Sequence, residues 1–190
     1  MELVKCGALN CSKKNIMTGK IPFTFCVGTK ELWDFMDHNE MFQGFEIEKV
    51  NDPNWISQND NMVSVNNALM VDLTGQVASE SIGTTQYSAT GGQVNFVQGA
   101  QRAKNGKSIL ALPATRVDKE GIVHSRILPT FPEGTIVTAS RNDVQWIVTE
   151  YGATNLYNKS VSYRAKELIR ISHPDFREQM TFEAKKIGWL

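Results

Sequence analysis
Two short apolar runs with a helix-like segment between them constrain this chain more than any other feature. Met62-Val63-Ser64-Val65 ends at the polar stop Asn66-Asn67, and Ser108-Ile109-Leu110-Ala111-Leu112 is stopped by Pro113. Between them Val94, Phe96, Val97, Ala100 and Ala103 recur at helical spacing after Gly91-Gly92, and the pattern dies at Asn105-Gly106. Runs this short and apolar read as buried strands, and a helical crossover between two such strands favours parallel pairing. The alternation continues on both sides. Ile21–Val27 is a strand-like run closed by Gly28, and Ile136–Thr138 and Val144–Thr149 are two more. Thr29 caps a helix through Leu32, Trp33, Phe35 and Met36. Ser160 caps another with Ala165, Leu168 and Ile169 inward, and His173-Pro174 opens a last helix through Phe176, Met180 and Phe182. Phe45, Ile47 and Lys49 alternate with Glu46 and Glu48 as a weaker, half-exposed strand, and Trp33, Trp55, Trp146 and Trp189 have the spacing of core and helix faces. The expected fold is α/β: a mixed, mostly parallel open sheet flanked by helices. Phe23–Val27, Met62–Val65, Ser108–Leu112, Ile136–Thr138 and Val144–Val148 are expected together in that one sheet.

Composition narrows the function classes. Twenty Lys and Arg balance twenty Asp and Glu in 190 residues, which argues against a general nucleic-acid or anionic-membrane binder and leaves room for a small basic pocket. No apolar run approaches the roughly 18 residues of a membrane span, and the start lacks the basic end and apolar block of a signal peptide. Cys6, Cys11 and Cys26 are an odd three, and His38, His124 and His173 lack metal-pair spacing. A cytoplasmic, reducing location, one domain and no metal site are expected.

Three places carry candidate chemistry. Ala89-Thr90-Gly91-Gly92-Gln93 sets a glycine pair at a helix start, where bare backbone approaches a ligand closely and free N–H groups can hold an anion or a developing oxyanion. Glu150 follows the strand-like run Val144–Thr149, at the strand exit where ligands of open α/β sheets sit; a solvated or capping glutamate explains it equally well. Arg116-Val117-Asp118-Lys119-Glu120-Gly121 is a polar loop whose Lys119 could meet a phosphate, although such a lysine is most often a solvated charge. His173 reads as a capping or packing residue, and His124 and Arg126 lie on a strand-like stretch.

Longer motifs go further. Gln58-Asn59-Asp60-Asn61-Met62-Val63-Ser64-Val65-Asn66-Asn67-Ala68-Leu69 followed by Val71-Asp72-Leu73-Thr74-Gly75-Gln76-Val77 resembles the acetyl-CoA hydrolase/transferase family, in its 4-hydroxybutyrate CoA-transferase branch. Tyr87–Phe96 resembles that family's glycine motif. Lys107–Pro113, Ser125–Pro129, Val148–Gly152 and His173–Glu178 follow in the family's order. The resemblance runs from about Leu3 to Arg177.

The resemblance implies a CoA-transferase-like fold and a specific division of labour. Family enzymes have two similar α/β domains, and residues 1–190 correspond to the second, C-terminal one. Their nucleophile is a glutamate that forms an acyl–glutamyl anhydride and then a glutamyl-CoA thioester, from which an acceptor carboxylate collects the CoA. That glutamate lies just before the segment matching Met1–Gly7, so it is expected on a missing N-terminal half, in cis or in trans. By motif position Gly92 matches the glycine whose N–H helps form the oxyanion hole, and Gly91 precedes it. Leu69 and Ser88 match positions lining the CoA pocket, Lys119 matches a lysine approaching CoA, and Asn51 and Glu150 match polar groups near the pantetheine arm. The implied partners are an acyl-CoA and a small carboxylic acid of the 4-hydroxybutyrate, acetate or butyrate type. A homo-oligomer is expected, as is an apolar face that the missing half would cover. The chain alone is then expected to lack transfer activity.

Other readings stay open: a non-catalytic CoA-thioester-binding or interaction domain, or half of an acetyl-CoA hydrolase. Glu150-Tyr151-Gly152 also resembles the Glu-x-Gly motif around the nucleophile of another CoA-transferase family, which makes Glu150 a rival nucleophile. One departure stands out. The family's Asp-Phe-x-Arg-Gly-Ala reads Asn95-Phe96-Val97-Gln98-Gly99-Ala100 here, losing an acid and a base together, a possible ion pair whose joint loss keeps charge balanced. Met70 stands where many relatives have Glu or Gln.

Overall fold
The computed structural model describes all residues from Met1 to Leu190. Its main sheet has four strands in the spatial order Gly152–Asn155, Trp146–Thr149, Lys107–Ala111, Val63–Asn67. The last three run parallel, with Val65 opposite Ile109 and Ile109 opposite Trp146. Gly152–Asn155 is an antiparallel edge returning directly from its neighbour. Helix Gln93–Arg102 makes the crossover between the Val63–Asn67 and Lys107–Ala111 strands and packs against both. The parallel pairing expected from the strand–helix–strand order is present, inside a mixed α/β architecture.

Burial alternates along each strand, because successive side chains point to opposite faces. Ser64, Ser108, Leu110, Ile147 and Thr149 are buried. Helices 93–102 and Val161–Arg170 contribute Val97, Ala165, Leu168 and Ile169 to one cluster with Leu110 and Ile147. The Thr149 hydroxyl donates to the Ile171 carbonyl at 2.6 Å, tying the exit of its strand to the end of the second helix. The opposite face is less covered: Ile109, Trp146 and Val148 are half-buried, while Val63 and Val65 are 50% and 65% exposed.

A second, three-stranded sheet is ordered Ile127–Leu128, Met70–Asp72, Val77–Ala78. Its turn rests on a buried acid. Asp72 Oδ1 accepts hydrogen bonds from the Thr74 N–H, the Thr74 hydroxyl and the Gln76 N–H, and Oδ2 accepts from Gln76 Nε2. Gly75 has φ +89, and a Cβ there would lie 2.7 Å from Arg164 Nη1. Only glycine meets both demands, since L-residues avoid that region and no space exists for a side chain. Arg164, buried on helix 161–170, donates to the carbonyls of Thr74, Arg141 and Lys159 and so clips three loops together. Burial, and next the neighbouring Arg141, lower its pKa from the usual guanidinium value. The Asp-Leu-Thr-Gly-Gln motif is therefore an architectural element: its residues fold this turn.

Several expectations are corrected. Ile21–Phe23 pairs in parallel with Phe42–Gly44 in a separate two-stranded sheet, with helix Lys30–Met36 as its own crossover. That unit satisfies its hydrogen bonds locally and never joins the main sheet, while Phe25 and Val27 beyond it are 73% and 85% exposed. Ile136–Thr138 is not a strand. Thr138 and Ala139 both donate to the Val77 carbonyl, and only an isolated bridge between Val77 and Ala139 results. Of the five runs expected in one sheet, the three from 62–65, 108–112 and 144–148 share it. The alternation around Phe45–Lys49 is a helical turn, Ile47–Val50. Trp33 is 51% exposed rather than core. Amphipathic spacing identified these segments' apolar residues but not whether anything covers them.

Leu110 is fully buried at the centre of the main sheet. Leu110→Ala is expected to cost about 2–5 kcal/mol, read as a lower urea midpoint with an unchanged m-value. A second prediction concerns acid. Arg170 Nε and Nη2 donate to Glu167 Oε2 at 3.0 and 2.7 Å, and Nη2 also reaches the Ala153 carbonyl, pinning the helix to the edge strand. The Arg170 hydrogen bond holds the Glu167 carboxyl below its ordinary value of 4.5. A carboxylate with a depressed folded-state pKa stabilises above its unfolded pKa, and that contribution is lost as pH falls through the folded value. Glu167→Gln should lower the urea midpoint near neutrality and flatten its fall with acid. An unchanged acid limb would show that the exposed half of this pair contributes nothing.

Candidate functional site
Parallel alignment brings three strand exits to one edge, the position where ligands bind in open α/β sheets. Asn67, Ala111, Leu112, Pro113, Val148, Thr149 and Glu150 line an open groove there of about 460 Å3. A larger hollow of about 600 Å3 lies near the opposite, amino end of the Val63–Asn67 strand, between residues 8–14 and 59–63. It contains none of the candidate residues, and its half-buried Lys14 already donates to the Lys20 carbonyl at 3.0 Å.

Gly92 caps helix 93–102 with φ −78 and no side-chain cap. Neither the Gly91 nor the Gly92 N–H donates a hydrogen bond within the chain. A Cβ at Gly91 would meet nothing within 4 Å, so that position faces open space, whereas one at Gly92 would lie 2.6 Å from Asn51 Nδ2. Asn51, in the loop before helix Pro53–Ile56, is thus set directly against the glycine pair. Gln93 adds a second feature. Its Nε2 donates to the Asn67 carbonyl at 2.9 Å, which anchors the helix start to the exit of the first parallel strand. Its Oε1 is buried without a partner. The helix start therefore combines unused backbone donors with an unused side-chain acceptor, a set suited to a ligand carrying carbonyl and amide groups.

Glu150 lies at the other side of the groove, exposed, with Oε2 accepting the Ala114 N–H at 2.9 Å. That bond orients the carboxylate and leaves Oε1 without a partner in the chain. Leu69 is half-buried just beyond Asn67, its N–H given to the Ala78 carbonyl. Ser88 is exposed, and its N–H and that of Tyr87 both donate to the Glu80 carbonyl. Lys119 sits exposed at the tip of a hairpin formed by Thr115–Val117 and Val123–Ser125, a continuation of the Lys107–Ala111 strand. Thus Asn51, Gly91 and Gly92 come together, Ser88 and Leu69 lie on the segments leading into that corner, and Glu150 stands across the groove. No contact joins Lys119 to the others.

Sequence reasoning missed Glu80 and Gln93. Glu80 is buried and accepts a hydrogen bond from the Thr90 hydroxyl at 3.2 Å, so its side chain and backbone together hold the loop entering Gly91-Gly92. No local pattern marks it, since its burial depends on a loop ten residues away. Gln93 stood within the quoted glycine motif, but only the fold places its amide on Asn67. The possible partnership of positions 95 and 98 is also resolved: Gln98 Nε2 bonds Asp143 Oδ1 at 3.2 Å, on another loop, and not Asn95. His173 caps helix Pro174–Ile187, its Nδ1 facing the Asp175 N–H at 3.3 Å, as its place before Pro174 predicts. No group of three or more His, Cys, Asp or Glu side chains gathers anywhere in the structure, and no helix is long and apolar enough to cross a membrane.

Comparison with known proteins gives a consistent picture. The family model described as the acetyl-CoA hydrolase/transferase C-terminal domain matches residues 28–184. The chain is 50% identical to the 4-hydroxybutyrate coenzyme A transferase of Clostridium kluyveri over 186 residues, covering 98% of this chain and 43% of that one. It is 42% identical to the butyryl-CoA:acetate CoA-transferase of Anaerostipes caccae, covering 98% of this chain and 42% of the relative. Among solved structures, RipA from Yersinia pestis superposes with a TM-score of 0.91 at 40% identity, over all of this chain and 42% of that one. The chain therefore spans about two-fifths of the length of the relatives it matches.

The geometry at the glycine pair makes a prediction independent of any ligand. At Gly92 the backbone φ is ordinary, and the only clash is with the end of the Asn51 side chain. Gly92→Ala should swing the Asn51 amide aside and change stability by less than about 1 kcal/mol. Amide resonances of Asn51 should shift while the urea midpoint stays near the parent value. A much larger loss would mean that Asn51 is locked where it is.

Proposed function
The chain belongs to the acetyl-CoA hydrolase/transferase family, and from that premise we propose that it is the CoA-binding, C-terminal domain of an acyl-CoA:carboxylate CoA-transferase. The observation carrying this reading is the corner formed by the unused N–H groups of Gly91 and Gly92, the unpartnered Gln93 Oε1 and Asn51. Pantetheine is a chain of amides ending in a thiol. Its N–H groups suit Gln93 Oε1 and the free oxygen of Glu150, its carbonyls suit Asn51 Nδ2, and the thioester carbonyl suits the glycine N–H groups. In this reading Leu69 and Ser88 would border that path, and Lys119 would meet a phosphate of CoA.

In this reading a glutamate on the N-terminal portion of the full protein attacks the thioester carbonyl carbon. The carbonyl oxygen gains the negative charge and is stabilised by the Gly92 N–H. The C–S bond breaks, CoA leaves as thiolate, and an acyl–glutamyl anhydride remains. The thiolate attacks the glutamyl carbonyl of that anhydride and expels the donor acid as carboxylate, giving the glutamyl-CoA thioester. An acceptor carboxylate attacks this thioester and expels CoA thiolate; the thiolate then takes the new acyl group from the mixed anhydride and regenerates the glutamate. Covalent catalysis thereby replaces one difficult exchange with easier steps. Exposed Val63 and Val65 on the open sheet face fit burial against that N-terminal portion.

The test is activity by parts. The 190 residues alone should bind CoA yet transfer none between an acyl-CoA and a carboxylate. The N-terminal portion of a relative, added in cis or in trans, should restore transfer, and mutation of its glutamate should abolish it. Glu150→Gln keeps an acceptor for the Ala114 N–H, so it should raise KM for acyl-CoA with a smaller effect on kcat. Transfer by the chain alone, lost in Glu150→Gln, would instead make Glu150 the nucleophile. Release of free acid by the combined protein without an acceptor would favour a hydrolase. CoA binding without activity in any combination would leave a CoA-thioester-binding domain.

A further inference from the structure
We infer that a cleft between the 115–125 hairpin and helix Pro174–Ile187 is a second binding site, for a monocarboxylate with a short aliphatic chain. The cleft measures about 300 Å3 and shares no lining residue with the strand-exit groove. This volume lies at the lower end of the ~300–1,000 Å3 typical of small-molecule sites. Its walls are mainly apolar, with Met70, Ile82, Ile127, Phe176 and Met180, and its polar lining residues are Arg116, His124, Ser125 and Gln179.

Arg116 and His124 face each other directly in the antiparallel hairpin, so their side chains leave the same face. Their commitments differ. His124 Nε2 lies 2.6 Å from Asp118 Oδ2, and Asp118 Oδ1 accepts the N–H groups of Glu120 and Ile122, so this acid is used in holding the hairpin. Arg116 makes no hydrogen bond and no ion pair, although it is half-buried. Every other arginine shielded to that degree is engaged. Arg164 meets three carbonyls, Arg177 meets the Ser172 carbonyl, and Arg126 meets the Leu69 carbonyl through Nη1, although its Nε is buried without a partner. A partly desolvated guanidinium facing apolar walls lacks an anion, and its planar donors match a carboxylate in bidentate geometry. A neutral apolar guest would leave Arg116 unpaired. A phosphorylated one would bring more charge than one guanidinium offsets, against walls of thioether, alkyl and phenyl groups. A fatty acid of a few carbons satisfies both parts of the lining.

This inference stands apart from the CoA reading, and the experiment separates them. The 190-residue chain is titrated with acetate, butyrate, hexanoate and hexan-1-ol while backbone amide resonances are followed, with CoA titrated in parallel. Hexanoate should give saturable shifts at Val123, Ile127 and Phe176. Affinity should rise about three- to fourfold per added methylene while the chain is being buried. Hexan-1-ol should bind at least tenfold more weakly than hexanoate. Arg116→Gln should weaken hexanoate at least tenfold and leave hexan-1-ol unchanged. Val123→Asp, at an exposed lining position, sets a carboxylate at the mouth and should weaken hexanoate likewise, which covers the case of a misfolded Arg116 variant. Equal hexanoate affinity in the variants, shifts at Asn67, Ala111 and Glu150 instead, or no saturation at millimolar concentrations would overturn the inference. CoA binding with no carboxylate binding would reject the cleft alone.

Discussion
The hydrogen-bonded ladder joining Val63–Asn67, Lys107–Ala111 and Trp146–Thr149 in parallel is the constraint on which the candidate site depends. Parallel strands must leave the sheet on the same side, so Asn67, Ala111 and Thr149 end together, and the loops that follow them converge. The helical crossover returns the chain to the start of the next strand, which places its own N-terminus, Gly92-Gln93, beside the first exit. Gln93 on the Asn67 carbonyl and Glu150 on the Ala114 N–H fasten the two sides of the groove to the ladder. The N–H groups of Gly91 and Gly92, at the start of that helix, have no hydrogen-bond acceptor within the chain.

The chain separates architecture from chemistry in an instructive way. Asp72, Gly75 and Arg164 carry a buried acid, a left-handed turn and a buried cation, features that often mark a catalytic centre. Here each is satisfied internally: four hydrogen bonds close on Asp72, and three carbonyls receive Arg164. The candidate site shows the opposite condition, with polar groups lacking internal partners. Arg116 in the hairpin cleft shares that condition. At the glycine corner the buried Gln93 Oε1 lacks a partner, whereas Asp72 and the Arg164 guanidinium are satisfied within the chain.

The main sheet is covered unevenly. One face holds Ser64, Ser108, Leu110, Ile147 and Thr149 under two helices, and the other leaves Val63 and Val65 largely exposed. Parallel sheets are usually covered on both faces. This open face is where the N-terminal portion proposed above would pack.

Local pattern determined a good deal of this protein. Apolar runs and their stop residues located the three parallel strands, helical spacing and caps located the helices starting after Thr29, Gly92, Ser160 and His173, and the glycine pair and Glu150 were identified as strand-exit or helix-start positions. Motif resemblance supplied the family and the roles proposed for Asn51, Leu69, Ser88 and Lys119. Tertiary structure alone decided which strands share a sheet. Phe23 and Ile136–Thr138 have the composition of buried strands, yet one pairs within its own small unit and the other meets only Val77. It also decided that Glu80 holds the glycine loop, that Gln93 reaches Asn67 and that Arg116 has no partner. The physical reason is range. Propensity, periodicity and capping act over a few residues and are written in neighbouring side chains, whereas strand partners, burial and hydrogen-bond satisfaction depend on residues tens of positions apart that only the folded backbone brings together.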